Sequence, residues 1–165
     1  MGLSEDLTIV AKQEQQLKFP AFDEESGWKL GCRLRDMALA RNAPLVIEIR
    51  RFGQLLFFCA LVGSTPDNAD WVRRKSNVVA RFHRSSYGLG LELQQMNTSL
   101  TDRFGLNLTE FAAHGGSFPI TVVGSGVIGS IAVSGLPQRD DHELVVEALC
   151  AELKCEYAEL RLSRE

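Results

Sequence analysis

The chain lacks most of the features that declare a function at once. It has no run of ~20 apolar residues, so no segment is expected to span a bilayer. The N-terminus, MGLSEDLTIVAKQEQQLKF, carries acidic residues early and no apolar stretch, unlike a secretory leader. The four cysteines (Cys32, Cys59, Cys150 and Cys155) contain no C-x-x-C pair, and the three histidines are widely scattered. Both facts argue against a metal site, and a reducing, cytoplasmic setting fits the cysteines. There is no basic excess: a net charge of -3 gives no reason to expect nucleic acid, and the cluster Arg73-Arg74-Lys75 is too short to change that. The G-x-S-x-G elbow, the P-loop and H-E-x-x-H are all missing.

What is present is an ordinary globular composition. A 45% hydrophobic, 24% charged chain of 165 residues can bury a core without disulfides or metals. One domain over residues 1–165 is expected, with residues 1–19 as a helical extension. Leu3, Leu7, Val10 and Leu17 predict a first helix over residues 4–18, capped by Ser4 and ended by Pro20. Asp23 can cap a second, carrying Leu30, Leu34, Met37 and Ala38, in which Gly27 and Gly31 require a closely packed neighbour. LVIEIRRFGQLLFFCALVG reads as a hairpin, residues 45–51 and 54–61. The tract over residues 63–70 reads as a loop, after which Asp70 caps a helix from Trp71 towards residue 96, open to interruption at Gly88 and Gly90. A short helix is expected over residues 109–113.

The stretch FPITVVGSGVIGSIAVSG contains a literal G-x-G-x-x-G. In a dinucleotide site that motif must be followed by a helix whose N-terminus faces the pyrophosphate. Here SIAVSG follows, with a period of two, and then a Gly-Leu-Pro break. The glycines therefore predict a second hairpin turning near Gly124-Ser125, and no NAD or FAD site. Its return strand has a bulky face and a face that is small apart from Ile128, suited to the close approach of another element. Asp140 and Glu143 have the spacing of a capping box for a last helix striped by Val146, Leu149, Leu153, Tyr157 and Leu160. Strands in adjacent hairpins make the class α+β with an antiparallel sheet, in the order α-α-β-β-α-(α)-β-β-α.

FPI, then GVIGSIAVSG, then DDH opening a terminal helix, within AAHGGSFPITVVGSGVIGSIAVSGLPQRDDHELVVEAL, resembles the stand-alone branch of the HbpS/GlcG-like family, the haem-degrading domain. RRKSNVVARF and the upstream hairpin agree, and the likeness runs over residues 20–155. The resemblance implies a profilin- or PAS-like antiparallel sheet with helices packed on it, assembled as a symmetric homo-oligomer. It also implies haem or iron binding in some relatives. The chain has no Cys-Pro or Met-rich haem signature of its own.

Lys75 is the local anomaly. It lies near the centre of the apolar arc formed by Trp71, Val72, Val78, Val79 and Phe82. Either its stem packs and the amine snorkels to solvent, or the amine enters a pocket to hold a carboxylate or phosphate. His142, in the first turn of the last helix beside Asp141, is expected neutral, as a ligand or a cap. His114, with the backbone N–H groups of Gly115 and Gly116 beside it, offers an anion or metal contact, whereas His83 reads as an edge residue. Trp71, Lys75, His114, Gly115, Gly116, Asp141 and His142 are the candidate binding residues. Three functions fit: a non-enzymatic, oligomeric binder of haem, a tetrapyrrole or another anionic metabolite; an assembly module with a vestigial pocket; an enzyme of unknown substrate.

Overall fold

In the computed structural model, which describes residues 2–163, the order is α1 (Leu3–Gln16), α2 (Glu24–Ala40), β1 (Val46–Arg51), β2 (Gln54–Ala60), α3 (Pro66–Phe82), α4 (Ser86–Gln95), α5 (Leu100–Phe104), β3 (Ser117–Val122), β4 (Gly126–Ser134), α6 (Gln138–Leu153) and α7 (Tyr157–Leu160). The strands form one antiparallel sheet in the order β2-β1-β4-β3. The α+β class and both hairpins are as the sequence predicts.

Alternation gives the sheet two unlike faces. Ile47, Ile49, Phe57, Phe118, Ile120, Ile131 and Val133 join Leu30 and Leu34 of α2 and Leu144 and Leu149 of α6 in the main core. The α2 glycines allow the close approach they demand: a Cβ on Gly31 would lie 2.3 Å from the Phe57 ring, and one on Gly27 would lie 3.0 Å from Leu56. The opposite face carries Val46 and Ala132, on which Ala69 and Val72 of α3 rest. The small face of β4 is thus a helix seat. Ile128 is not the exception to it. A bulge opposite Ile120/Thr121 adds one residue to β4 and turns Ile128 towards the main core.

G-S-G-V-I-G occupies the β3–β4 hairpin, with Gly124 and Gly126 at φ 82° and 86° in the turn. Gly129 lies within β4 opposite Arg51 and Ile120, so no helix follows the glycines. The two sheet edges differ. Outside β3, Phe19 pairs with Val122: its N–H donates to the Thr121 carbonyl at 2.8 Å, and Val123 N–H donates to its carbonyl at 2.9 Å. β2 has no such cover among the described residues.

Several helix boundaries correct the sequence reading. α1 is capped by the Gly2 backbone rather than by Ser4. α3 begins at Pro66, because Thr65 and Asn68 form a capping box and Pro suits the first helical position, so Asp70 lies inside the helix. The interruption falls at His83, in the left-handed region, and Ser85 caps α4, so Gly88 and Gly90 are helical. Ser99 caps a short α5 upstream of the expected position. α6 starts after Pro137 with no side-chain cap, so Asp140 and Glu143 form no capping box. Glu143 instead accepts from the Tyr157 hydroxyl at 2.7 Å, and Tyr157 belongs to the separate α7.

Candidate functional site

α3 crosses the small face of the sheet, which brings Lys75 over β4 and against the loop before β3. The Lys75 amine is 3% exposed and its three hydrogens are all taken. It donates to the carbonyls of Gly115 (2.8 Å) and Val133 (2.9 Å) and to Asp141 Oδ2 (3.1 Å). Neither expectation for this amine holds as framed: it does not reach solvent, and it is not a free cation. The Asp141 carboxylate is equally engaged, its Oδ1 accepting from Leu136 N–H at 3.0 Å. Burial pulls the Lys75 amine below its ordinary value and pushes the Asp141 carboxyl up to about 6, each charge holding the other against that desolvation.

The glycines beside His114 are also committed. Gly115 N–H donates to Gln138 Oε1 at 3.0 Å, so it is not the bare donor expected. Gly116 accepts from Val133 N–H at 2.9 Å. With Gly116 at φ 131°, a Cβ there would lie 2.6 Å from the Lys75 nitrogen. The glycines let the loop close over the ion pair.

Above this buried base lie two clefts that share a wall. The polar one, about 280 Å³, is lined by Asn68, Trp71, His114, Ser134 and Gln138, with Lys75 and Asp141 at its floor. The other, about 530 Å³, is lined mainly by apolar groups, among them Leu93, Leu100, Phe111 and Ala113, with Arg74 among the residues lining it. Trp71 and His114 line both, their rings edge to face with centroids 5.2 Å apart. Arg74 stacks on Trp71, 4.0 Å from the ring centroid, and donates to Asp70 at 2.8 Å. Partial desolvation beside its neighbours, then the nearby Lys75 and Arg74 charges, hold the His114 imidazole below its ordinary value, hence neutral at pH 7. Its ring has no side-chain hydrogen bond among the described residues, and its surface is exposed. A neutral imidazole in this setting can donate a lone pair to a metal or a hydrogen bond to an anion.

His142 does not join this site. The turn of α6 points it to the opposite side, where it is 1% exposed against Tyr87 and Phe118. It donates from Nε2 to Gln13 Oε1 at 2.8 Å, and Gln13 in turn donates to the Leu160 carbonyl at 2.6 Å. It is neither a cap nor a cleft ligand. Burial, then Arg139, hold it down to about 3, so it is neutral as expected, though mainly for a different reason.

The sequence brought Trp71, Lys75, His114, Gly115, Gly116 and Asp141 to one place. It missed Asn68, Arg74, Ser134 and Gln138. Thr65-Pro66 is a helix-start signal, and starting α3 there would have set Asn68 on the face of Trp71 and Lys75. Among the described residues, no three His, Cys, Asp or Glu side chains cluster as a metal site. No helix there is long and apolar enough to cross a membrane.

The family described as Haem degrading protein HbpS-like matches residues 22–150. The chain belongs to the HbpS-like family. A UPF0303 protein of Acidobacterium capsulatum is 59% identical over 162 residues, 98% of each chain. Among solved structures the HbpS-like chain resembles the Ybr137w protein, at TM-score 0.82 and 26% identity over 88% of this chain and 86% of that one. It shares its fold with a PduOC–haem complex, at TM-score 0.65 and 15% identity over 79% of this chain and 93% of that one. α1 and α7 lie outside the segment that defines the family.

Proposed function

We propose that this protein is a non-enzymatic, self-associating, cytoplasmic binder of a flat, largely apolar, anionic ligand, with haem or a related tetrapyrrole as the leading candidate. The observation that carries the reading is His114. It is a neutral imidazole with no hydrogen-bond partner among the described residues, placed where a cleft of about 530 Å³ with apolar walls meets a polar one. That volume lies within the range of ~300–1,000 Å³ usual for ligand sites. The residues present fit such a group. Leu93, Leu100 and Phe111 would cover an apolar macrocycle, His114 would ligate its iron, and Arg74, on the cleft wall, would meet a carboxylate. The iron would supply a coordination bond, and the chain would supply orientation and cover. The family description and the haem in the PduOC complex support the choice of ligand. Four free cysteines support a reducing compartment.

A haemin titration followed by absorption tests this. The wild type is expected to shift and sharpen the haem band with one site per chain. His114→Ala should lose the shift while keeping the wild-type melting curve. No spectral change in the wild type, or an unchanged one in His114→Ala, defeats the reading. Bleaching of bound haemin by the wild type in the presence of a reductant and air would defeat its non-enzymatic part.

A second reading has its own observation. Ser134, Asn68 and Gln138 bring one hydroxyl and two amides to the smaller cleft, which suits a small carboxylate or phosphate. Such a ligand would raise the melting temperature without any change in visible absorption.

A further inference from the structure

Large apolar side chains left in water concentrate along β2. Phe52 is 75% exposed, Leu55 48%, Phe58 49% and Val62 98%. Leu55 pairs across from Arg50 and Phe58 from Glu48, on the face that carries α3, and the bulge at Leu56 lets two residues three apart share that face. α3 rests on Val46 and Ala132, further into the sheet. Among the described residues β2 is also the edge strand without cover, whereas β3 is bordered by Phe19. Edge strands of soluble proteins are commonly blunted by lysine, proline or other charge. Gln54–Ala60 reads QLLFFCA, with no charge and no proline, and its only irregularity is the bulge.

We propose that β2 is the surface through which a second copy of this chain binds, edge to edge and antiparallel about a two-fold axis. This rests on the self-association in the reading above and names its surface. The placement of the exposed residues argues for this occupant. Phe52 and Val62 stand at opposite ends of the strand, and Leu55 and Phe58 lie between them on one face. With the bulge at Leu56 counted, antiparallel pairing of two identical strands about Phe58 sets the two Phe58 side chains side by side on the α3 face. It places Leu55 of each copy across from Ala60 of the other, with Phe52 of each copy at the end where Val62 of the other lies. A two-fold interface must be self-complementary in this way. The uncharged strand satisfies that condition, because like charges do not meet. The outward N–H and C=O groups of β2 gain partners, and the two four-stranded sheets become one of eight strands.

Light scattering of the full chain at micromolar concentration, on wild type, Leu55→Lys, Phe58→Lys and Val123→Lys, tests the surface. Val123 is also exposed, but sits at the β3–β4 turn. Wild type and Val123→Lys are expected at a multiple of the chain mass, and each β2 variant at half the wild-type mass or less, with a wild-type far-UV spectrum. In hydrogen exchange, β2 amides turned away from β1 should be protected in wild type and at least tenfold faster in Phe58→Lys. A wild type at the chain mass overturns both the surface and the self-association. A multiple of the chain mass in wild type that survives both β2 substitutions overturns the surface alone. Dissociation of Val123→Lys to the same extent also overturns it, because the loss is then not specific to β2.

Discussion

Asp141 and His142 are neighbours on α6, both buried and both titratable, and the helix turns them to opposite sides of the molecule. Asp141 faces α3 and β4, where it meets a buried ammonium beneath an open cleft. His142 faces α1 and α4, where it is neutral, packed on Tyr87 and bonded to Gln13. The difference separates two uses of a buried polar group. The Asp141 side keeps charge in the interior by close partnering and builds the floor of a cleft. The His142 side excludes charge and holds a helix from outside the family segment against the fold. A titratable residue in the interior is therefore no sign of a site until its surroundings are known.

The strongest way to break the Asp141 side is Lys75→Met, which leaves Asp141 buried without its cation. A loss of ~3–5 kcal/mol is expected in urea unfolding, and the further change Asp141→Leu should return much of it, since an apolar pair can replace a buried ionic one. A loss below ~1 kcal/mol would mean that the amine carries little of the structure.

The His142 side is broken by acid. Its folded value near 3 lies below the ordinary 6.5, so the unfolded chain takes up a proton that the folded one refuses. That contribution to stability is complete above pH 6.5 and is lost as pH falls towards 3. Asp141 acts oppositely. With its folded value near 6 above the ordinary 3.8, acidification through that window adds stability. His142→Gln isolates the first effect: its cost relative to wild type should shrink by ~3 kcal/mol between pH 7 and pH 4. A cost that does not change with pH would mean that His142 already titrates near its ordinary value in the fold.

Gln13→Ala removes the hydrogen bond to His142 and the one to the Leu160 carbonyl, and should cost ~1–3 kcal/mol. Faster hydrogen exchange confined to α1 and α7 would locate the loss. Asp140→Ala should change stability by less than ~0.5 kcal/mol, because Asp140 is exposed and caps nothing. A loss of ~1 kcal/mol or more would restore the capping box.

Much of this comparison was legible in the sequence. Period-two alternation located β4 and its small face, and the apolar arc on α3 singled out Lys75 as a charge at a buried position. The partners were not legible. Gly115, Val133 and Asp141 lie 40, 58 and 66 residues away from Lys75 along the chain, and nothing local indicates that three acceptors converge. Gln13 and His142 are 129 residues apart. Boundaries differ where two local signals compete: Thr65-Pro66 starts α3 ahead of Asp70, Ser99 starts α5 ahead of residue 109, and Pro137 has already begun α6 before Asp140.

Phe19 has a consequence for how copies can add together. A sheet with one bare edge has a valence of one: a partner at β2 closes the pair and growth stops. A sheet with two bare edges has a valence of two, and strand-to-strand addition then runs on as a fibre. By occupying the outer side of β3 through residues 121–123, a single residue between α1 and α2 acts as a chain terminator, and it lies just upstream of the segment by which the family is recognised.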